Sequence, residues 1–401
     1  MSGAQIELLD MAARWIHVIA AIMWAGNSLL FNWLDRSLIA AKGGQTQSPI
    51  GTIWLLHSGG FYYVEKTLLA GQRLPAPLHW FKWQAYTTWI SGAALLVIVY
   101  YAGGRAVMAG PATVGVLTHS EAVVVGIGAI LAGWIIYEAM QRLVAPRMPA
   151  FAVIVWVTSL MAISFALTLL LDGRAAFVHT GAMLGTIMAG NVAMTIVPSQ
   201  RELVASVAEG RGGDPAVSAR AKRVSIHNNY FTFPVIALML SSHFPAIYSN
   251  RWSAVLLLLL TAIGVAVRHV LNLRWTYPRW KPALGGIIAT GMLALWMTLR
   301  VSEGSAARIP EASAPVTFAE VRHVIDRRCG VCHSDRPTDL LFGVAPGGVI
   351  FDTPAQIVSR AGRIEARAVT TQTMPPANRT GMTEAERALL GTWIAGGAGI
   401  R

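Results

Sequence analysis

Residues 149–171 read PAFAVIVWVTSLMAISFALTLLL, 23 residues without a single charge. About 20 consecutive apolar residues are what a helix needs to cross the ~30 Å hydrocarbon core of a bilayer. Outward from this stretch, seven further runs of comparable length and apolarity fall at about 12–33, 80–101, 119–141, 176–198, 228–248, 252–271 and 281–300. The composition agrees: 54% of the 401 residues are hydrophobic and 13% charged, against roughly 25% charged in soluble domains. Mean hydropathy is +0.51. An ordinary soluble enzyme and a disordered chain are both excluded. The expected fold is all-α: an eight-span transmembrane helix bundle over residues 1–300, followed by something smaller. A shorter apolar run around 53–63, containing His57-Ser58-Gly59-Gly60, is too short to span and reads as an interfacial or re-entrant segment.

Charge sets the expected orientation. Residues 1–300 hold 21 Lys/Arg against 10 Asp/Glu, whereas 301–401 hold 11 Arg against 10 Asp/Glu. Of the basic residues in loops, 14 lie in the first, third, fifth and seventh and only three (Arg105, Arg174, Arg251) in the others. Positive loops stay in the cytoplasm, so both termini are expected outside, the C-terminal domain on the periplasmic face of a bacterial inner membrane. The net charge of +12 is thereby accounted for without a nucleic-acid partner. Acidic Glu7 and Asp10 precede the first apolar run and no small-x-small pattern follows it, so no cleavable leader is expected.

Residues 301–316 are small, polar and proline-containing, as in a linker, and 317–401 form a small domain. Thr317 with Glu320, and Thr383 with Glu386, are capping-box pairs that open a helix each. The chain's only two cysteines stand in Cys329-Gly330-Val331-Cys332-His333. This is the C-x-x-C-H pattern of covalent haem c attachment: two thiols add to the two vinyl groups of one haem, and the next residue can reach the iron from below. A zinc site would need two more ligands, and only His323 is at hand. The domain therefore reads as a class I-like cytochrome c. Cys329 and Cys332 hold the haem and His333 is one axial ligand. Met374, before the stiff Pro375-Pro376, is the expected other ligand, while Met382, next to the last helix cap, fits a core residue.

Eight histidines fall in residues 1–300. Polar groups in spans are costly and tend to be functional. By the loop-charge orientation, His17, His119, His179 and His243 lie at outer ends, and His57, His79, His227 and His269 at inner ends. His17 and His179 sit inside the apolar register and each precedes an Ala-Gly-Asn stretch, which makes them the candidate pair for a haem b between facing helices. His227-Asn228-Asn229-Tyr230 can either bind a planar polar ligand or cap the sixth span. Glu121 and Glu138 are candidate proton acceptors or residues that snorkel to water, and Asn191 a residue that bonds across helices.

Four segments carry a resemblance. They are Trp15-Ile16-His17-Val18-Ile19-Ala20-Ala21-Ile22-Met23-Trp24-Ala25-Gly26-Asn27, His57-Ser58-Gly59-Gly60-Phe61-Tyr62, His79-Trp80-Phe81-Lys82-Trp83-Gln84-Ala85-Tyr86 and His227-Asn228-Asn229-Tyr230-Phe231-Thr232. With the C-x-x-C-H domain, the layout resembles the bacterial membrane-bound urate oxidases (urate hydroxylases) that carry a C-terminal cytochrome c domain. The resemblance implies oxidation of urate to 5-hydroxyisourate in purine catabolism, with electrons passing to haem c and on to a soluble cytochrome c or a terminal oxidase. It also makes His57, His79, Lys82 and His227 the candidates to bind or deprotonate urate. The alternative is a membrane cytochrome subunit that carries electrons from quinol to a soluble acceptor without urate chemistry.

Overall fold

A computed structural model describes residues 3–39, 51–67, 69, 73–102, 108, 117–211, 214–303, 316–339, 345–370 and 372–400. Most of the expected linker, 304–315, lies outside the described residues. Among the described residues of the first part, the helices longer than ten residues are α1 (Gly3–Ser37), α2 (Trp83–Leu95), α3 (His119–Val144), α4 (Pro149–Leu170), α5 (Gly173–Ala208), α6 (Pro215–Ser241), α7 (Ser253–Leu273) and α8 (Trp280–Glu303). Six of them, α1, α3, α4, α5, α7 and α8, are long and apolar enough to cross a membrane. α2 continues into a π-helical turn, Leu96–Tyr101. α6 opens with the basic stretch Arg220 to Arg223. Both pack within the same bundle, α2 along α1 and α6 against α5 and α7. The shared core is apolar and aromatic: Tyr137, Trp156, Phe177, Ile187, Phe231 and Leu256 are all buried. Outward faces carry Trp15, Ile22, Val124 and Met292, each more than 60% exposed, a surface suited to hydrocarbon rather than water.

Three expectations need correction. The first part is not purely helical: residues 51–66 form an antiparallel hairpin, β1 (Gly51–His57) and β2 (Gly60–Lys66). Its turn is Ser58-Gly59, both with positive φ (50° and 75°), the geometry whose twist suits a two-residue hairpin. The apolar run 53–63 is thus two strands with Trp54 packed across on Tyr63 at 4.9 Å, not a re-entrant segment. Lys66 ties the hairpin to the end of α1 through Asp35 at 2.7 Å. Second, α6 starts at Pro215 with Asp214 as its cap, so His227 lies near the middle of a helix and caps nothing. α6 also ends at Ser241, short of the expected 248. Third, α5 runs past the expected 198 to Ala208, through a π-helical turn at Val192–Ile196.

The C-terminal part is a small helical unit, with α9 (Phe318–Arg328), a short α10 (Pro354–Ser359) and α11 (Glu384–Ala395). Both expected capping boxes form, Thr317 with Glu320 and Thr383 with Glu386. Phe318, Val321, Ile325, Ile357, Leu390 and Trp393 make its core. Arg328 at the end of α9 grips Glu386 at the start of α11, Nη2 to Oε1 at 2.9 Å, with only 15% and 17% of the two side chains exposed. Burial would push the Glu386 carboxyl up, but the Thr383 N–H and Arg328 more than offset this and hold it below the usual range. A depressed carboxyl stabilises the fold above its unfolded pKa of about 4.3, and that contribution disappears as pH falls through the folded value. Glu386→Gln is therefore expected to destabilise this unit by about 2 kcal/mol at neutral pH. The penalty should shrink toward zero below about pH 4, as read from thermal melts of wild type and variant across pH.

Candidate functional site

The C-x-x-C-H segment extends α9 by one more turn. Cys329 and Gly330 both donate their N–H to the Ile325 carbonyl at 2.8 Å, and the His333 N–H donates to Cys329 O at 2.9 Å. The His333 ring is half-buried against Phe351, 5.4 Å between centroids, and its Nδ1 donates to the Val349 carbonyl at 2.9 Å. That bond fixes the tautomer and leaves Nε2 with a free lone pair, the arrangement a metal-ligating histidine uses. Burial lowers the imidazole's pKa, which keeps the ring neutral. No disulfide joins the two cysteines, both of them partly buried, and burial pushes the Cys329 thiol up to about 12.

The two methionines differ in burial. Met382 is 2% exposed in the core. Met374 is half-buried on a loop held at both backbone ends: its N–H donates to Arg367 O at 2.9 Å, and its carbonyl accepts from Arg387 Nη1 at 2.9 Å. Arg387, 4% exposed, also donates to the Ala368 carbonyl. Two adjacent thiols, an imidazole with a free Nε2 and a thioether on a pinned loop are a donor set that fits a covalently attached haem.

The intramembrane histidines are more scattered than the sequence suggests. His17 of α1 faces α2, with Nδ1 at 2.9 Å from Thr88 O and 3.2 Å from Ser91 Oγ. A methyl on Gly92 would lie 2.9 Å from its ring. His179 of α5 is fully buried. Its Nδ1 donates to Ala175 O at 2.8 Å, and the Tyr101 hydroxyl sits 3.2 Å from its Nε2. A Cβ on Gly126 of α3 would come 2.6 Å from that same Nε2. With the Tyr101 hydroxyl at Nε2 and α3 closed against the same nitrogen, His179 does not fit an iron ligand in this arrangement. The packing is tight enough to test. Gly126→Ala should force the ring off Tyr101 and cost about 2 kcal/mol by overpacking, measured as a lowered melting temperature in detergent.

Among the inner-end candidates, the structure joins none of His57, His79, Lys82 and His227 to another by a hydrogen bond, among the described residues. His57 is exposed at the hairpin tip. His79 is exposed and packs edge-on to Phe81 at 4.6 Å. Lys82 lies over the Trp80 and Trp83 rings at 5.6 and 5.8 Å. His227 alone enters the helix core, its Nδ1 2.8 Å from the Tyr137 hydroxyl and its ring 5.4 Å from Trp156. Asn191 donates to the Tyr137 oxygen at 3.0 Å and to Asn228 Oδ1 at 2.8 Å. The stretch His227-Asn228-Asn229-Tyr230 therefore does not present one polar edge. It fans out to α3, α5 and α7, with Asn229 accepting from Arg268 Nε at 2.9 Å and Tyr230 meeting His269 at 2.8 Å. Glu121 completes the capping box of α3, and Glu138 is paired with Arg142 and Arg220, which leaves neither as a free proton acceptor. Arg268, absent from the sequence-derived candidates, is 3% exposed. Its signal was a lone cation inside the apolar run 252–271, a placement that usually marks function.

Six membrane-length apolar helices with lipid-suited outer faces define a multi-pass membrane protein. The particular family follows from comparison with known proteins. Residues 3–298 match the family model described as urate oxidase N-terminal, and the chain belongs to that family. No curated protein and no solved structure matches the chain. Residues 299–401, which include the C-x-x-C-H unit, lie beyond the matched segment.

Proposed function

We propose that this chain is a membrane-bound urate oxidase that hands electrons to a haem c carried by its own C-terminal domain. The observation that carries the substrate is the family match over residues 3–298. The reaction removes two electrons and two protons from urate and adds one water, giving 5-hydroxyisourate. No dioxygen is consumed at the site, and no hydrogen peroxide is formed. When bound, the haem supplies a one-electron acceptor. Cys329 and Cys332 would tether it, and His333 and Met374 would hold its iron.

Within the helices, His227 is the candidate proton acceptor, because its ring is enclosed and paired with Tyr137. His57, His79 and Lys82 remain candidates for urate contact at one end of the bundle. α2 with its π-helical turn, 13 and 6 residues, reaches about 29 Å at 1.5 Å per residue. α6, 27 residues, is longer still, so these two complete eight spans. In this reading both termini and the haem domain lie in the periplasm of a bacterial inner membrane, supported by the basic loops, and a soluble cytochrome c or a terminal oxidase would take the electrons there.

The test is an anaerobic titration of purified, haem-loaded protein with urate. The haem c bands should become reduced, with one urate consumed per two electrons accepted. Oxidised bands in protein that still consumes urate would refute the electron path. Reduction by a quinol, with no response to urate, would favour the electron-carrier alternative.

A further inference from the structure

A cavity of about 440 Å³ opens between α1, α6 and α7. Leu29, Leu30, Phe233 and Leu271 supply apolar walls, and Arg268 and Arg274 supply two cations. No carboxylate lines it, among the described residues. Arg268 is the unusual member. It is 3% exposed, its guanidinium lies 5.5 Å over the Phe233 ring, and its Nε donates to Asn229 Oδ1 at 2.9 Å. Asn272 donates to the same oxygen at 2.8 Å, so that acceptor is shared. Arg268 Nη2 is buried without a partner. A buried cation without a counter-ion is costly, and among the described residues no carboxylate pairs with this one.

We infer that this cavity holds the phosphodiester of an anionic phospholipid from the inner leaflet. A phosphodiester offers two oxygens in the geometry a guanidinium prefers. Leu29 and Leu30, 37% and 48% exposed, continue the cavity wall onto the outer face of α1, where acyl chains lie. Arg274 and Arg36 flank the Trp275 ring at 3.8 and 5.6 Å and add positive charge at the same end of the bundle. By the loop-charge orientation this end faces the cytoplasm, the side whose leaflet is anionic and where basic pockets between helices receive lipid headgroups. A small soluble anion would match the guanidinium groups but leave the laterally open apolar wall unfilled. α1 packs along α2 and only lightly on α6, so a lipid seated here would fasten its second half to α6 and α7.

The experiment uses the full chain in nanodiscs of phosphatidylcholine alone or with phosphatidylglycerol. Phosphatidylglycerol should raise the melting temperature by about 5 °C and be retained in native mass spectra. Arg268→Met should abolish both effects. Arg274→Gln, at the cavity's rim, should weaken lipid retention about tenfold and serves if Arg268→Met fails to fold. Equal melting in both lipids with no retained phosphatidylglycerol would overturn the inference. So would protection by inorganic phosphate or by urate in phosphatidylcholine alone, the latter assigning the cavity to the substrate.

Discussion

A Cys329→Ala/Cys332→Ala double variant is expected to show no haem stain on a denaturing gel and to pass no electrons from urate to added cytochrome c. The thiols offer the only covalent anchors in the chain, since its two cysteines are these two. The loss should not come from unfolding. Neither cysteine is among the buried residues of the C-terminal core, although Cys329 packs against it, and the turn they occupy is held by backbone bonds to Ile325 that alanine preserves. Circular dichroism of the variant should therefore retain the helices while the haem bands vanish. Covalent haem in the double variant would remove the basis for reading residues 317–401 as a cytochrome c.

The second large effect separates the two methionines. Met374→Ala should leave the haem attached, since both thioether bonds remain, but abolish the methionine-to-iron charge-transfer band in the oxidised near-infrared spectrum. The reduction potential should fall as well, because a thioether ligand raises it. Melting should change little, as Met374 is half-buried on a loop. Met382→Ala should do the opposite. With 2% exposure and a place in the core, it should cost about 2–5 kcal/mol and leave the band intact in whatever fraction stays folded. If the band follows Met382 instead, the axial assignment is reversed. Arg387→Met would extend the test, since its guanidinium bridges the Met374 and Ala368 carbonyls. A weakened band with unchanged haem content would mark it as a residue that positions the loop.

What could be read from the sequence follows how local each signal is. Long apolar runs and capping boxes are properties of contiguous residues, so α3, α4, α7, α8, α9 and α11 appear nearly where the pattern put them. The hairpin was missed because its strands carry few alternating polar residues. Only the Ser58-Gly59 turn, with its positive φ angles, distinguishes two strands from an interfacial apolar run. The roles of His227 to Tyr230 were unreadable for a different reason. Four consecutive helical residues point in different directions, and which neighbour each meets depends on packing among α3, α5, α6 and α7. The same holds for His17 and His179: equal sequence settings, but one faces Gly92 and the other Gly126. Arg268 was legible as an anomaly of charge, though not as the wall of a cavity.

Joining the helix bundle and the C-x-x-C-H unit in one polypeptide has a kinetic consequence. Residues 304–315, twelve in number, can bridge at most about 40 Å when fully extended. If the C-terminal unit carries the proposed haem, a leash that short would hold it at a local concentration on the order of millimolar, whatever the abundance of its diffusing partners. Its reduction should accordingly be first-order and insensitive to dilution, while its reoxidation by an external acceptor should be second-order and slow as the acceptor becomes scarce.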